Sequence, residues 1–422
     1  MRGGLSLIAH KEQSTGLAID LVAPPKIASL LLAAQNLPAQ ILVQAGDDVR
    51  VGQTLAHTHT TRLHASVSGR IADIRNDNGQ YTFVIAGDDA DRRDDSVRPI
   101  GDFSSMEVEA LRTRIALAGI TGLGGACFPT ATKLAAAVHK QAPLLIINGA
   151  ECEPFITCDD RLMREHAGDI LFGVQVLLYA IAGSQAIVAI ETNKPAALQA
   201  IRAANKALSD SRIQVRAVPT YYPAGGERQL VTALTEKEVP SGGMPPDIGV
   251  LCQNVGTAAA VAKLIRTGEP LIDRVVTVTG SGVREPRNLR ARFGTPIATL
   301  IDACGGYTGP LERLIMGGSM MGVALESDEL PVTAATNCIV AATLTDFQPP
   351  GREMPCIRCG HCATACPAHL LPQQLLRYAR LNDRPALSEL GLRDCIECGC
   401  CDFVCPSQIP LASTFIAAKR AS

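Results

Sequence analysis

Two runs in the last quarter of this 422-residue chain repeat one spacing: Cys356, Cys359, Cys362 and Cys366 before Pro367, then Cys395, Cys398, Cys401 and Cys405 before Pro406. Both read C-x2-C-x2-C-x3-C-P. Thiolates this closely spaced along a chain suit a loop that wraps an inorganic cube, with backbone amides aimed at the sulfurs. Nine of the 15 cysteines lie between positions 356 and 405, a metal-site distribution rather than the framework of a secreted disulfide protein. Isolated C-x2-C pairs also hold zinc, but two repeats of three such gaps ending in C-P point to iron and sulfur. The spacing rule for two [4Fe-4S] clusters sends each fourth cysteine across. It groups Cys356, Cys359 and Cys362 with Cys405, and Cys395, Cys398 and Cys401 with Cys366. Cys400 is a further thiol in the second run, and ligation by it in place of Cys401 stays open. Cys127, Cys152, Cys158, Cys252, Cys304 and Cys338 read as small buried residues.

Two such clusters carry one-electron traffic, so the rest of the chain must supply a source or a sink. Its 39 Lys+Arg against 41 Asp+Glu give a formal charge of -2, which argues against a nucleic-acid partner. With no Trp and 4% aromatic residues it offers no base-stacking platform. The start MRGGLSLIAHKEQS lacks an apolar run and a cleavage site, so a reducing cytoplasm is the expected compartment. Positions 170 to 190 are uncharged and long enough to span a bilayer. The Ala-Gly-Ser break at 182 to 184 favours a buried helix feeding a parallel strand.

Four modules follow from pattern, making a multidomain α/β chain. Residues 1–100 alternate β-favouring residues with Gly and Asp, as in a small barrel or sandwich. The stretch GDDVRVGQTLAH followed by HASVSGRI resembles a lipoyl-like barrel-sandwich module. Ser66, Val67 and Ser68 stand where that family carries its lysine, so packing or docking is expected rather than a carrier role. The polar segment 88–99 reads as a linker. Residues 101–265 show a Rossmann-like α/β rhythm. Residues 266–345 read as hairpin, strand and short helix, resembling the β-grasp module that follows flavin domains in respiratory dehydrogenases. Residues 346–422 form the small two-cluster, ferredoxin-like helical module.

Two loops in the second module are chemically suggestive. Gly119, Gly122, Gly124 and Gly125 precede a helix whose early turn carries Lys133, so amides, a helix N-terminus and a cation could meet a phosphate. The spacing matches neither the Rossmann fingerprint nor a Walker A loop, and a structural Gly-rich turn is the other reading. Asn148, Glu151, Glu153, Asp159 and Asp160 follow the strand LLII, where open α/β sheets bind ligands, although loop solvation accounts for such residues equally well.

These residues together resemble the RnfC (RsxC) family, the peripheral iron-sulfur subunit of the Rnf ion-pumping electron-transport complex. The core also resembles the NADH-oxidising subunit of respiratory complex I. The match runs through Gly122, Gly124, Gly125, Phe128, Pro129, Thr130 and Lys133, then Asn148, Gly149, Glu151, Glu153 and Pro154. It continues through Gly225, Gly226 and Glu227, then Asn254, Val255 and Gly256, to both cysteine repeats. The resemblance implies non-covalent FMN with its phosphate on Gly124, Gly125 and Lys133, with Gly122 and Gly226 in the same site. It implies a flavin in contact with Asn148 and Asn254, and NAD(H) bounded by Glu151, Glu153 and Glu227. It further implies hydride exchange without a side-chain acid or base, single-electron steps to two [4Fe-4S] clusters, and coupling to Na+ or H+ transport. Implied partners are the membrane and iron-sulfur subunits of that complex and, indirectly, ferredoxin or flavodoxin, at the cytoplasmic face of the bacterial inner membrane. Cys127 departs from a position where glycine is common, and the Ala/Lys-rich tail of many family members is absent. The alternatives are a diaphorase-type subunit of a hydrogenase, formate dehydrogenase or complex I-like enzyme, a flavin-free iron-sulfur adaptor, and a structural zinc scaffold.

Overall fold

The computed structural model describes residues 3–34, 37–347 and 351–421. The chain first crosses the other modules: β1 (Asp20–Leu21) lies parallel to a strand of the third module, pairing Asp20 with Leu289. The barrel-sandwich follows. Its larger sheet holds β2 (Ile27–Ala33), and its smaller one holds β3 (Gln40–Ile41). Next come β4 (Asp48–Val49), β5 (Thr54–His57), β6 (Arg62–His64), β7 (Gly69–Asp77) and β8 (Gln80–Gly87). The sheets run β2-β8-β7-β4 and β3-β5-β6. Alternation along β2 puts Ala28, Leu30 and Leu32 inside against Leu55, Ile71, Phe83 and Ile85. Asn78 and Gly79 turn β7 into β8, both with positive φ (51° and 87°), as a two-residue hairpin of this hand requires.

The tip where a lipoyl module carries its lysine is docked. Ser66 is buried, its hydroxyl donates to the Phe293 carbonyl at 2.6 Å, and Arg292 donates to the Ser66 carbonyl at 2.9 Å. The segment after β8 is held as well: Val51 donates to Arg92 and Asp94 donates to Val51, at 2.8 and 2.9 Å. A polar composition there read as a linker, but the unpaired backbone edge at Val51 recruits it.

The second module contains α1 (Val108–Leu117), α2 (Thr130–His139), β9 (Leu144–Gly149), α3 (Cys158–Glu165), α4 (Ala167–Ala180) and β10 (Gln185–Glu191). It continues with α5 (Pro195–Leu208), β11 (Ile213–Val218), α6 (Glu227–Thr235), β12 (Val250–Asn254) and α7 (Val255–Thr267). The strands are parallel in the order β11-β10-β9-β12, so the order reverses beside β9. The uncharged run from 170 to 190 becomes the buried helix α4 and the buried strand β10. Among the described residues no helix is long and apolar enough to cross a membrane.

The third module has β13 (Asp273–Thr279), β14 (Arg287–Arg292), α8 (Ile297–Ala303), β15 (Arg313–Met316), β16 (Val323–Leu325) and β17 (Cys338–Ala342). With β1 they form a six-stranded sheet, β1-β14-β13-β17-β15-β16, over a core of Val276, Val278, Leu289, Leu300 and Ile339. The last module packs α9 (His361–Ala365), α10 (Pro372–Arg380), α11 (Arg384–Glu389), α12 (Cys400–Phe403) and α13 (Leu411–Ala421) around Leu375, Leu376, Leu387 and Phe415.

Helices α4 and α7 approach closely at Gly173, where an added Cβ would lie 1.9 Å from the Ala258 carbonyl oxygen. A Gly173→Ala change should therefore cost about 1–3 kcal/mol by overpacking, seen as a lower calorimetric unfolding temperature with the iron content unchanged.

Candidate functional site

A parallel sheet whose order reverses opens a crevice at the carboxyl ends of the two strands flanking the switch. Here those strands are β9 and β12; Asn148 is the last residue but one of β9 and Asn254 the last of β12. Asn254 caps α7: its oxygen accepts from Gly256 N–H at 2.7 Å and its amide donates to Asp159 at 2.7 Å. Asn148 donates to the Gly225 carbonyl at 2.8 Å and accepts from Ala150 N–H at 3.1 Å. Both asparagines are thus already bonded within the protein, Asn148 to backbone groups and Asn254 to the Gly256 amide and the Asp159 carboxylate.

The Gly-rich loop covers this crevice. Leu123 donates to Thr257 at 3.0 Å, and a Cβ on Gly124 would sit 3.5 Å from the Asn254 amide. Gly125 has φ of +113° and Cys127 of +50°. Gly122 N–H closes the loop onto the Phe128 carbonyl at 2.8 Å. Lys133, from the first turn of α2, reaches Glu227 at 2.9 Å and the Cys252 carbonyl at 3.1 Å. Gly226 caps the helix that Glu227 begins. Gly124, Asn254, Asn148 and Gly225 thus form one chain of neighbours, with Lys133 and Glu227 as an ion pair beside it. A cavity of about 400 Å³ adjoins the loop at Leu123, Asp159 and Gly256, between α3, α7 and β13.

The other two carboxylates turn elsewhere. Glu151, with φ of +50°, accepts from Asp159 N–H at 2.6 Å and so caps α3. Burial raises its carboxyl to about 8, against the pull of Lys11. Glu153 accepts from Met321 N–H at 2.8 Å in the loop between β15 and β16, while its second oxygen is buried with no hydrogen-bond partner among the described residues. Burial lifts it to about 7. Gly318 makes that approach possible, since a Cβ there would fall 2.6 Å from the Glu153 carboxyl carbon.

The two cysteine runs share one backbone. Arg358 and Gly360 in the first, and Glu397 and Gly399 in the second, all have positive φ, as do His369 and Gln408 three residues after each fourth cysteine. This repeat aligns Cys401 with Cys362 and Cys400 with His361. Cys366, Cys395, Cys398 and Cys401 line one small cavity, with Cys400 also on its wall. Leu370 N–H points at the Cys366 sulfur at 3.4 Å, with the Ala368 and His369 amides beside it. On the other side Met354 donates to Ser407 and Ser407 to Pro355, at 2.9 Å each, which brings the first run against Cys405. Among the described residues no three of these sulfurs lie within 4.8 Å of one another. The described group that is so compact, Glu151, Cys158 and Asp159, spends its carboxylates on the α3 amides and Asn254.

The two centres meet. Tyr222, ahead of the loop carrying Gly225, donates its hydroxyl to the Cys398 carbonyl at 2.7 Å. Cys152, Tyr222, Met320, Cys398 and Cys400 belong to one apolar cluster. Neither Tyr222 nor Met320 stood out in the sequence, because their role depends on a partner far away in the chain. Lys11 and Lys194 were likewise unmarked, and both are buried beside the acidic loop. Of the six other cysteines, Cys158, Cys252, Cys304 and Cys338 are buried, and Cys127 and Cys152 are half-buried.

Residues 115–263 match the Nuo51 FMN-binding domain family, 275–324 the SLBB domain, 355–409 the 4Fe-4S dicluster domain, and 1–84 the RnfC barrel sandwich hybrid domain. These domains define an electron-transfer protein of the flavin and iron-sulfur class. A subunit of the ion-translocating oxidoreductase complex of Pseudomonas aeruginosa is 44% identical over 99% of this chain and 55% of its own length. The corresponding protein of Pasteurella multocida is 46% identical over 89% and 46%. By this homology the chain belongs to the RnfC family, and it spans about half the length of these curated relatives. An NAD+-reducing [NiFe]-hydrogenase crystal structure shares the fold, with a TM-score of 0.53 and 20% identity over 75% of this chain and 61% of that one.

Two outcomes follow. Exchanging Cys401 for Ser should lower bound iron by about half, whereas Cys400→Ser should leave about eight iron atoms per chain by chemical assay. The raised carboxyls give a pH signature: above about pH 4.5 the folded chain holds protons that the unfolded chain has lost. Stability is fully present below that point and falls as pH rises through 7 to 8. Calorimetry should show a lower unfolding temperature at pH 8.5 than at pH 6, with a shallower slope in Glu153→Gln.

Proposed function

We propose that the chain passes electrons between NAD(H) and a partner protein through FMN and two [4Fe-4S] clusters, as the peripheral subunit of an Rnf-type complex. The observation that carries this reading is the shared apolar cluster of Cys152, Tyr222, Met320, Cys398 and Cys400, where the flavin-domain loop meets the cysteine cavity. Bound FMN would supply the step from two-electron hydride exchange to single electrons, because nicotinamide transfers electrons in pairs and a cluster takes one.

The residues divide that work. Gly124 and Gly125 leave the loop backbone open to a phosphate, with the N-terminus of α7 beside it, and Lys133 adds a cation. Gly122 and Gly226 shape the two loops, while Asn148 and Asn254 set the floor. Of the three glutamates, Glu227 beside Lys133 bounds the side on which nicotinamide would lie, while the carboxylates of Glu151 and Glu153 are spent on α3 and on Met321 and shape the loop instead. No side chain is asked to act as general acid or base. Cys366, Cys395, Cys398 and Cys401 would hold the inner cluster, and Cys356, Cys359, Cys362 and Cys405 the outer one. Cys356 and Cys359 are exposed, as are Met354 and Ile357, so the outer cluster is the exit toward a partner. In the assembled complex, at the cytoplasmic face of the inner membrane, the redox step would drive Na+ or H+ transport through other subunits, with ferredoxin or flavodoxin at the far end.

The test is anaerobic purification with assays for iron, sulfide and FMN, followed by addition of NADH. The expected outcome is about eight iron atoms, one FMN by titration and bleaching by NADH. Lys133→Met should weaken FMN binding about tenfold with iron unchanged, the scale of one lost charge-assisted contact. Iron without any FMN binding would leave an electron adaptor with its input elsewhere.

A further inference from the structure

Residues 3 to 15 lie outside the flavin domain, yet they lace the other modules together. Gly4 donates to Ala365 in the cluster module at 2.8 Å, and Leu5 exchanges two backbone bonds with Tyr222 at 2.7 and 2.9 Å. His10 stacks on Phe155 at 4.6 Å. Gln13 accepts from Thr279 and Gly280 of the third module at 2.9 and 3.1 Å. At the centre, Lys11 is buried, and its ammonium donates to the carbonyls of Glu151 (2.9 Å), Glu153 (2.9 Å) and Ile156 (2.5 Å). Three acceptors require three N–H donors, which only the charged amine has. Lys194, 1% exposed, grips the same loop from the sheet, donating to Ala150 at 2.6 Å, Glu151 at 3.2 Å and Glu191 at 3.0 Å.

A trans peptide places its C=O and the next N–H on opposite sides. With the Ala150 and Glu151 carbonyls drawn toward the two ammonium groups, the N–H groups of Glu151 and Cys152 face the other way. Among the described residues neither N–H meets a protein acceptor. Cys152 N lies 3.6 Å from where a Cβ on Gly225 would stand, so this pair opens beside Gly225 and Asn148. Successive amides around a left-handed residue form a nest for electron-rich oxygen, and Glu151 has φ of +50°.

We propose that Lys11 is a positioning residue of the flavin site: with Lys194 it holds the 150–153 peptides so that two amides face the ring's electron-rich carbonyl edge. The proposal rests on the FMN reading above. Reduction adds negative charge to that part of the ring, so the two donors and the Lys11 ammonium favour the reduced form and raise the flavin potential, the Lys194 charge being balanced by Glu191. The first module thereby completes a site whose family match begins only at residue 115.

The experiment compares the full chain with Lys11→Met and Lys11→Gln, measuring the FMN dissociation constant by fluorescence quenching and the flavin midpoint potential by spectroscopic titration. Iron content and circular dichroism report on folding. Lys11→Met should bind FMN about tenfold or more weakly, at the scale of a charge-assisted hydrogen bond. Lys11→Gln, a neutral donor, should keep part of the affinity, and both should lower the potential with iron retained. Wild-type affinity and potential in a folded variant overturn the proposal, as does loss of iron and structure in both, which would make Lys11 a fold residue alone. A wild-type chain that binds no FMN fails at the first titration, before any variant is compared, and removes the flavin reading together with this one.

Discussion

The loop from Ala150 to Thr157 is the constraint on which the rest depends. It leaves the central strand at the switch point, so its path sets the floor of the crevice. Its carbonyls face two buried ammonium groups, one carboxylate caps α3, and another is held by the loop between β15 and β16. Cys152 adds the contact with Tyr222 and the inner cysteine cavity. A buried cation without acceptors would cost several kcal/mol, so Lys11 and the loop specify each other. That reciprocity accounts for left-handed conformations at Glu151 and Phe155, which neither residue adopts readily alone.

The same loop explains how the modules are tied together. Electron transfer between flavin and cluster requires fixed proximity, and short flexible joints would not keep it. Here the first residues of the chain bond to the cluster module, the flavin domain and the third module in succession. The barrel-sandwich gives up its exposed tip to rest on Phe293. Gly318 and Gly399 lie where the third module meets the acidic loop and the inner cysteine loop, the latter with a Cβ position 3.1 Å from the Met320 carbonyl. Glycine at these contacts lets a carboxylate in the one case and a backbone carbonyl in the other approach the chain closely.

Much of this was legible in residue order. The cysteine repeats, the strand-and-helix rhythm around β9, β10 and β11, and the Gly-rich loop are local patterns with local causes. The uncharged run at 170–190 resolved into helix and strand because its Ala-Gly-Ser break is a turn signal. The segment after β8 was not legible as structure, since its polar composition hides a backbone ladder to Val51. Glu151 and Glu153 stood out as acids after a strand, but composition could not show that each carboxylate already has a protein partner. A lone lysine in KEQ gives no signal at all.

By itself, the sequence determined the paired cysteine spacing and the strand-and-helix rhythm that places the Gly-rich and acidic loops, because ligand spacing and hydrophobic periodicity act over a few residues. Only the tertiary structure decided which lysines are buried, which way the acidic loop's amides face, and which cysteine cavity lies against the flavin domain. Those outcomes rest on contacts such as Lys11 to Glu151, 140 residues apart. A buried charge finds its acceptors only when the whole fold has excluded water around it.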